Sequence, residues 1–360
     1  MTVGPKGSGR LSKLSGAGCL VMFGLFWSAL TLTADLVIGW GAFQQLHALT
    51  YPATSGKVTL SEVKKTSGHR GATYRPHIVY TYSAGGKEYV SDRYRYGEST
   101  AQRGPAERIV ASHPVGSQIV VYFVPSDPSE AVLVVGLEGL DLFAAMCMVP
   151  FNLVMAAFWI AGGGAVYRRF FPSPTGGAKV RDDGFRVRVG LSPTSPILGA
   201  AAVAGILSFA LAFVIGFGLG GNPSIPVMLL VWAVILGSGS WVYSHYRVKQ
   251  TRGDFDLVLD VFGRCLTLPQ TFGRTTGVVV PVSKVTSIEV VQVTKRGAKG
   301  SVHYAYAPTL VFADDEGMTR RERLIEWSDA KRAAMLSGWL CERMGIKATG
   351  PNPRSGDSTD

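Results

Sequence analysis

Residues 197–221 read ILGAAAVAGILSFALAFVIGFGLGG, and two incompatible folds compete for them. The ending GFGLGG, residues 216–221, satisfies G-x-G-x-x-G. In a dinucleotide-binding unit that motif follows a strand and opens a helix. Here the glycines instead close an apolar run of about 20 residues, the length one helix needs to cross a bilayer core. The context excludes a cofactor loop, and no cofactor is expected. Ala200, Ala204, Ser208, Ala212, Gly216 and Gly220 recur every four residues along the run. Small side chains on such a ridge let a neighbouring helix backbone approach closely, so Ala204, Ser208, Ala212, Gly216 and Gly220 are expected to pack against another helix. Ala157, Ala161 and Ala165 form a shorter stripe of the same kind.

Three further runs share this character: CLVMFGLFWSALTLTADLVIGW from Cys19, LDLFAAMCMVPFNLVMAAFWIAGGGAVY from Leu140, and IPVMLLVWAVILGSGSWVYSHY from Ile225. With a mean hydropathy of +0.20 and 17% charged residues, the chain is too apolar for an ordinary soluble protein. The fold class that follows is a multi-pass α-helical membrane protein with four transmembrane helices. A small antiparallel β extracytoplasmic domain and a mainly-β cytoplasmic domain closed by a C-terminal helix complete it. The first run, with Lys6, Arg10 and Lys13 before it, is longer than the ~7–15 apolar residues of a signal peptide. No small-x-small cleavage site follows, so it reads as an anchor.

Basic residues orient the chain. The leader, the connection RRFFPSPTGGAKVRDDGFRVRVG and RVKQTR after the fourth run are rich in Lys and Arg, whereas GNPS between the third and fourth carries no charge. The positive-inside rule then puts both termini in the cytoplasm of a cell bounded by this inner membrane. The long segment between the first two spans faces outward, and it exceeds the ~60-residue loops to which the rule applies. The expected division is a cytoplasmic N-terminus (1–16), helix 17–42, an extracytoplasmic β domain (43–138) and helix 139–167. A cytoplasmic connection with a strand (168–193) leads to helix 194–220, an outer loop (221–224) and helix 225–246. A cytoplasmic β domain (247–346) and a disordered tail (347–360) end the chain.

The net charge of +11 is explained by these membrane flanks and by anionic lipid, so nucleic acid is not an expected partner. None of the four cysteines falls in the outer domain and no Cys-x-x-Cys occurs, which leaves neither a disulfide framework nor a zinc site to expect.

From Tyr51 to Leu133 the apolar period becomes two, as a half-buried sheet requires. SGKVTLSEV reads as a strand and PHIVYTYS as a second, with Ile78, Tyr80 and Tyr82 on one face. AGGK turns the chain, EYVSDRYRY returns, and GSQIVVYFVP forms a fourth strand; GPAERIVASHP between the last two reads as a helical turn. In the return, Tyr94 and Tyr96 are expected opposite Arg93 and Arg95, leaving the two arginines as an exposed contact face. The order of pieces resembles the domain-of-unknown-function 3592 family: GKV (56–58), the tyrosine-rich strand 74–82, GKEY (86–89), and the segment 114–133 ahead of a span. The resemblance implies a membrane-anchored extracytoplasmic β domain and no settled reaction.

After the fourth run, FDLVLDVFGRCLTLP, TGVVVPVSKVTSIEVVQVT, APTLVFADDEG and RRERLIEWS alternate like strands. A helix follows from about Asp329 to Met344, with Leu336, Trp339, Leu340 and Met344 on its buried face. Ser328 is the expected start cap, and Gly345 with Ile346 the end. Strands closed by one amphipathic helix resemble bacterial pleckstrin-homology-like domains. Whether the strand-like 184–193 joins this domain across the third and fourth helices stays open.

Chemical motifs are sparse. His69, His77 and His113 match no metal-ligand spacing, and H-E-x-x-H, the P-loop and G-x-S-x-G are absent. Asp35 and Asp141 read as interfacial, with Asn152 and Pro150 as mid-span irregularities, too few polar groups for a transport pathway. Lys295, Arg296 and Lys299 mark a hairpin tip, where each cation gains about 1 kcal/mol beside anionic lipid. The functional expectation is a non-enzymatic binding, sensing or assembly module. Its partners are the lipid bilayer, anionic head groups and an unidentified membrane or envelope protein. The alternatives are a membrane-linked hydrolase without a recognisable motif, then a transporter component.

Overall fold

The structure is a computed structural model that describes residues 8–68, 71–97, 102–171, 173–192, 195–220, 222–296 and 301–346. Four of its helices are long and apolar enough to cross a membrane: α1 (Ser8–His47), α3 (Gly139–Phe170), α4 (Pro196–Gly218) and α5 (Ile225–Arg252). Their side chains are largely exposed within the chain itself, as helices bathed in lipid are. The chain divides into two units, Met1–Trp159 with Ala201–Gly239, and Ile160–Ala200 with Ser240–Asp360.

In the first unit, α1 and α3 are joined by polar contacts. The Asn152 amide donates to Asp35 Oδ1 (3.1 Å), and Trp159 Nε1 donates to Ser28 Oγ (2.8 Å). Gly24 meets the Phe158 ring so closely that a Cβ there would overlap it. Asp35 and Asn152, expected as unrelated interfacial and mid-span residues, therefore satisfy each other between two helices, as polar groups in hydrocarbon must. Met146, Ile215, Met228 and Ile235 form a second buried cluster among α3, α4 and α5.

The first β domain is one five-stranded antiparallel sheet, ordered β3-β2-β1-β4-β5. Its strands are β1 (Ala53–Gly68), β2 (Gly71–Ala84), β3 (Lys87–Ser91), β4 (Gln118–Val124) and β5 (Asp127–Val132), and α2 (Arg103–Ser112) packs on β1 and β2. Gly56 sits where β1 is flanked by β2 and β4. A Cβ there would lie 2.6 Å from Val121 Cγ2 and 2.9 Å from Thr81 O, so only glycine fits. Ile78, Tyr80 and Tyr82 all point inward as their alternation predicts. Tyr80 Oη lies 2.9 Å from the carbonyls of both Arg93 and Ala131, and the Tyr82 hydroxyl donates to Pro128 O (2.6 Å). These bonds run from β2 to the edge strand β5 and to the segment after β3, and burial pushes the Tyr80 phenol well above its ordinary pKa. Tyr51, below the sheet, is pushed up to about 12, by burial first and then by its hydrogen bond with Tyr96.

Two expectations change here. β5 was not read, because DPSEAV lacks the β-branched alternation of a strand; it forms by pairing with β4 through Tyr122↔Val132 and Phe123↔Ala131. The return strand ends at Ser91, so residues 92–96 are not a strand and do not alternate.

The second unit holds two antiparallel sheets. One is β10-β9-β8-β7-β6 and the other β11-β12-β13. Their strands are β6 (Lys179–Asp182), β7 (Arg186–Gly190), β8 (Asp256–Asp260), β9 (Cys265–Leu268), β10 (Val278–Pro281), β11 (Val285–Arg296), β12 (Val302–Ala313) and β13 (Thr319–Arg323). The open question of 184–193 is answered by register. β7 pairs with β8 from Arg186↔Asp260 to Gly190↔Asp256, so α4 and α5 are an insertion between two neighbouring strands of one sheet. Helix α6 (Ala330–Met344) covers a shared core that includes Val187, Val189, Leu257, Leu266, Ile288, Leu310, Leu336 and Leu340. The start cap is Asp329 rather than Ser328: its side chain accepts from Lys331 N at 2.9 Å, because Asp329 is the last residue with extended backbone. At the other end Gly345 takes the left-handed conformation (φ 70°) that a C-terminal cap favours.

Candidate functional site

A hollow of about 590 Å³ lies in the second unit. Three elements build it. The last turns of α5 supply His245, Tyr246 and Lys249, with His245 and Lys249 on one face by their four-residue spacing. The 270–272 segment after β9 supplies Gln270, Thr271 and Phe272, and the exit of β13 supplies Leu324 to Trp327.

Backbone strain marks one wall. Phe272 has φ 54°, a left-handed conformation that costs a non-glycine residue about 1–2 kcal/mol. The buried Arg274 guanidinium holds it there, donating to Pro269 O (2.9 Å), Thr271 Oγ1 (2.8 Å) and Arg323 O (2.9 Å) and pairing with Glu322. The outcome of this bracing is a phenylalanine ring left 48% exposed on the cavity wall.

The electrostatics are cationic. Glu326, with a side chain only 14% exposed, is neutralised by Lys295 Nζ at 2.5 Å and Arg323 Nη1 at 3.4 Å. Lys249 is half-buried, and its ammonium has no hydrogen bond or ion pair among the described residues. Trp327 is fixed by two backbone bonds with Tyr306 and by the Arg332 guanidinium 4.4 Å above its ring. On the outer face of the neighbouring sheet, Lys179, Arg181 and Arg188 line a second hollow of about 420 Å³.

Of the residues expected at a lipid-facing tip, Lys295 reaches this cavity, Arg296 is exposed one residue further along β11, and Lys299 lies outside the described residues. The expected outer arginine face is corrected in part. Arg93 is half-exposed, beside Glu130 (3.6 Å) and over the Tyr96 ring (5.3 Å). Arg95 is buried, bonded to Glu138 Oε2 (2.9 Å) and Asp141 Oδ2 (2.5 Å) at the start of α3. With no strand at 92–96, nothing turns Arg95 outward, and two carboxylates draw it inward. Beside it Gln45, fully buried, donates to Gly136 O (2.9 Å) and accepts from Tyr96 N (3.1 Å). Asp141, read as a span-start residue, is thus part of the junction between the sheet and α3.

Along α4, Ala204, Ser208 and Ala212 face inward, Ser208 fully, and Gly216 is half-buried. Gly220 lies past the helix end in a left-handed turn (φ 62°), outside the ridge. In α3, Ala157 and Ala161 are exposed rather than packed. His77 sits near Glu62 and Lys64, while His113 caps the end of α2 on Ile109 O, and His69 lies outside the described residues. Among the described residues no three His, Cys, Asp or Glu side chains converge on a point. The cavity itself was missed in the sequence, since Lys249, Phe272 and Trp327 come from three separated segments; a run such as QTFGR carried no sign of its strained phenylalanine.

No curated protein and no solved structure matches the chain. Residues 54–138, the first β domain with its tyrosine-rich strand and buried glycine, match the model of the family described as domain of unknown function (DUF3592), the family that the motif order resembles.

Proposed function

We propose that this protein is a non-enzymatic membrane-anchored binding module. It carries the first β domain outside the cytoplasmic membrane and the second inside, where Lys295, Arg296 and Lys299 meet anionic head groups. The observation that carries this reading is the cation-rich, aromatic-walled hollow built against the last turns of α5, where that helix leaves its apolar stretch. From β7 onward the second domain runs four strands, three strands and a closing helix, an order that supports a pleckstrin-homology-like scaffold. Asp35 with Asn152 and Ser28 with Trp159 pair between α1 and α3, which favours a structural role for those helices over a pathway through them.

Orientation is tested in intact cells with a chain whose four cysteines have been replaced. An impermeant thiol reagent should label Glu88→Cys without permeabilisation and Glu316→Cys only after it, both positions being exposed; the reverse pattern would defeat the topology. For the head-group contact, the full chain should retain phosphatidylglycerol over phosphatidylcholine in a salt-sensitive way. Equal retention of the two lipids would sink that part of the reading.

A further inference from the structure

The apolar stretch of α5 runs from Ile225 to about Tyr243, which at ~1.5 Å per residue spans about 28 Å, close to a bilayer core. His245 and Lys249 then stand roughly 3–9 Å beyond it, at head-group depth. Both line the 590 Å³ cavity. It combines one cation without a partner among the described residues (Lys249), a second whose ion pair can be shared (Lys295), and apolar walls from Phe272, Leu324 and Phe255.

We infer that this cavity is a binding site for one anionic phospholipid, with its phosphate between Lys249 and Lys295 and its glycerol and upper chain against Phe272. The inference rests on the membrane reading above and narrows it from a surface attraction to a single built site. Charge complementarity selects an anion: Glu326 is already matched by Lys295 and Arg323, so Lys249 leaves the wall with an excess positive charge. The strained Phe272 gives the second reason. Its ring, backed by the Arg274 guanidinium 5.8 Å from its centroid and held at a conformational cost, is left 48% exposed and offers a flat apolar surface beside the cations.

The test uses the full-length chain in nanodiscs of phosphatidylglycerol and phosphatidylcholine in equal parts, with retained lipid counted by native mass spectrometry. One phosphatidylglycerol should stay bound per chain. Lys249→Gln should lower its retention about fivefold, the worth of one lysine beside an anionic head group. Phe272→Gly should lower it as well while leaving the melting temperature unchanged or higher, because glycine is at ease at φ 54°. That second variant separates loss of binding from loss of folding. Lys284→Gln, whose lysine pairs with Asp315 away from the cavity, should retain lipid normally.

Retention of phosphatidylglycerol by both cavity variants, with loss on Arg296→Gln, would overturn the site and leave the surface contact standing. No preference for phosphatidylglycerol in any form would overturn both. Displacement of the lipid by inorganic phosphate alone would overturn the assignment to a lipid.

Discussion

Expressing residues 247–346 alone should give a chain that does not fold, although it holds every strand that follows α5. Such a fragment lacks β6 and β7, and with them Val187, Val189 and Leu191, each about 1% exposed in the shared core. Burying an aliphatic side chain fully is worth about 1.5–3 kcal/mol, so the three together contribute about 5–9 kcal/mol. A domain of this size is stable by only about 5–15 kcal/mol in total. The loss also strips β8 of its ladder with β7 and leaves a central strand as a raw edge. The structure supplies a rescue. Gly190 faces Asp256, and Leu191 N donates to Phe255 O at 3.0 Å, so residues 173–192 can be joined to 254–346 by a short Gly-Ser turn in place of both helices. Urea unfolding followed by circular dichroism distinguishes the two: the joined chain should unfold in one cooperative transition and 247–346 should show none. A cooperative transition of equal midpoint from 247–346 would refute the reasoning, because β7 would then be dispensable to the core.

Arg95→Met in the full chain should cost about 3 kcal/mol, since it strands Asp141 and Glu138 at the sheet–α3 junction; an unchanged melting temperature would show that the cluster bears no load. Between α1 and α3, a double-mutant cycle of Asp35→Leu and Asn152→Leu should give a coupling of about 0.6–1.7 kcal/mol, read from thermal unfolding in detergent. The turn carboxylates Asp183, Asp260 and Asp314 are all held below the ordinary aspartate value, chiefly by backbone N–H groups of Arg186, Gly263 and Met318 respectively. Their folded pKa lies below the unfolded one, so their stabilisation is complete above the unfolded value of 3.8 and is lost as pH falls through the folded values. Acid titration of the second domain should accordingly show weakening only below about pH 4, and Asp314→Asn should make that weakening shallower.

Sequence alone determined what local periodicity and composition can carry. The four apolar runs met the length of a bilayer, and the alternation of Ile78, Tyr80 and Tyr82 gave their inward face. Leu336, Leu340 and Met344 marked one side of α6, and the motif order from Gly56 to Leu133 pointed to the matching family. Each of these depends on residues only a few positions apart, or on a fixed order along the chain. Tertiary structure decided whatever requires partners far apart in sequence. DPSEAV became a strand because β4 offered it a ladder, and Arg95 turned inward because Glu138 and Asp141 wait more than forty residues away. β7 found β8 across two whole helices, which no period in the sequence encodes. The cavity followed from the same cause: Lys249, Phe272 and Trp327 are ordinary residues in their own segments. They acquire a shared purpose only where α5, the 269–274 loop and the exit of β13 meet, and where Arg274 holds a phenylalanine in a conformation its own side chain disfavours.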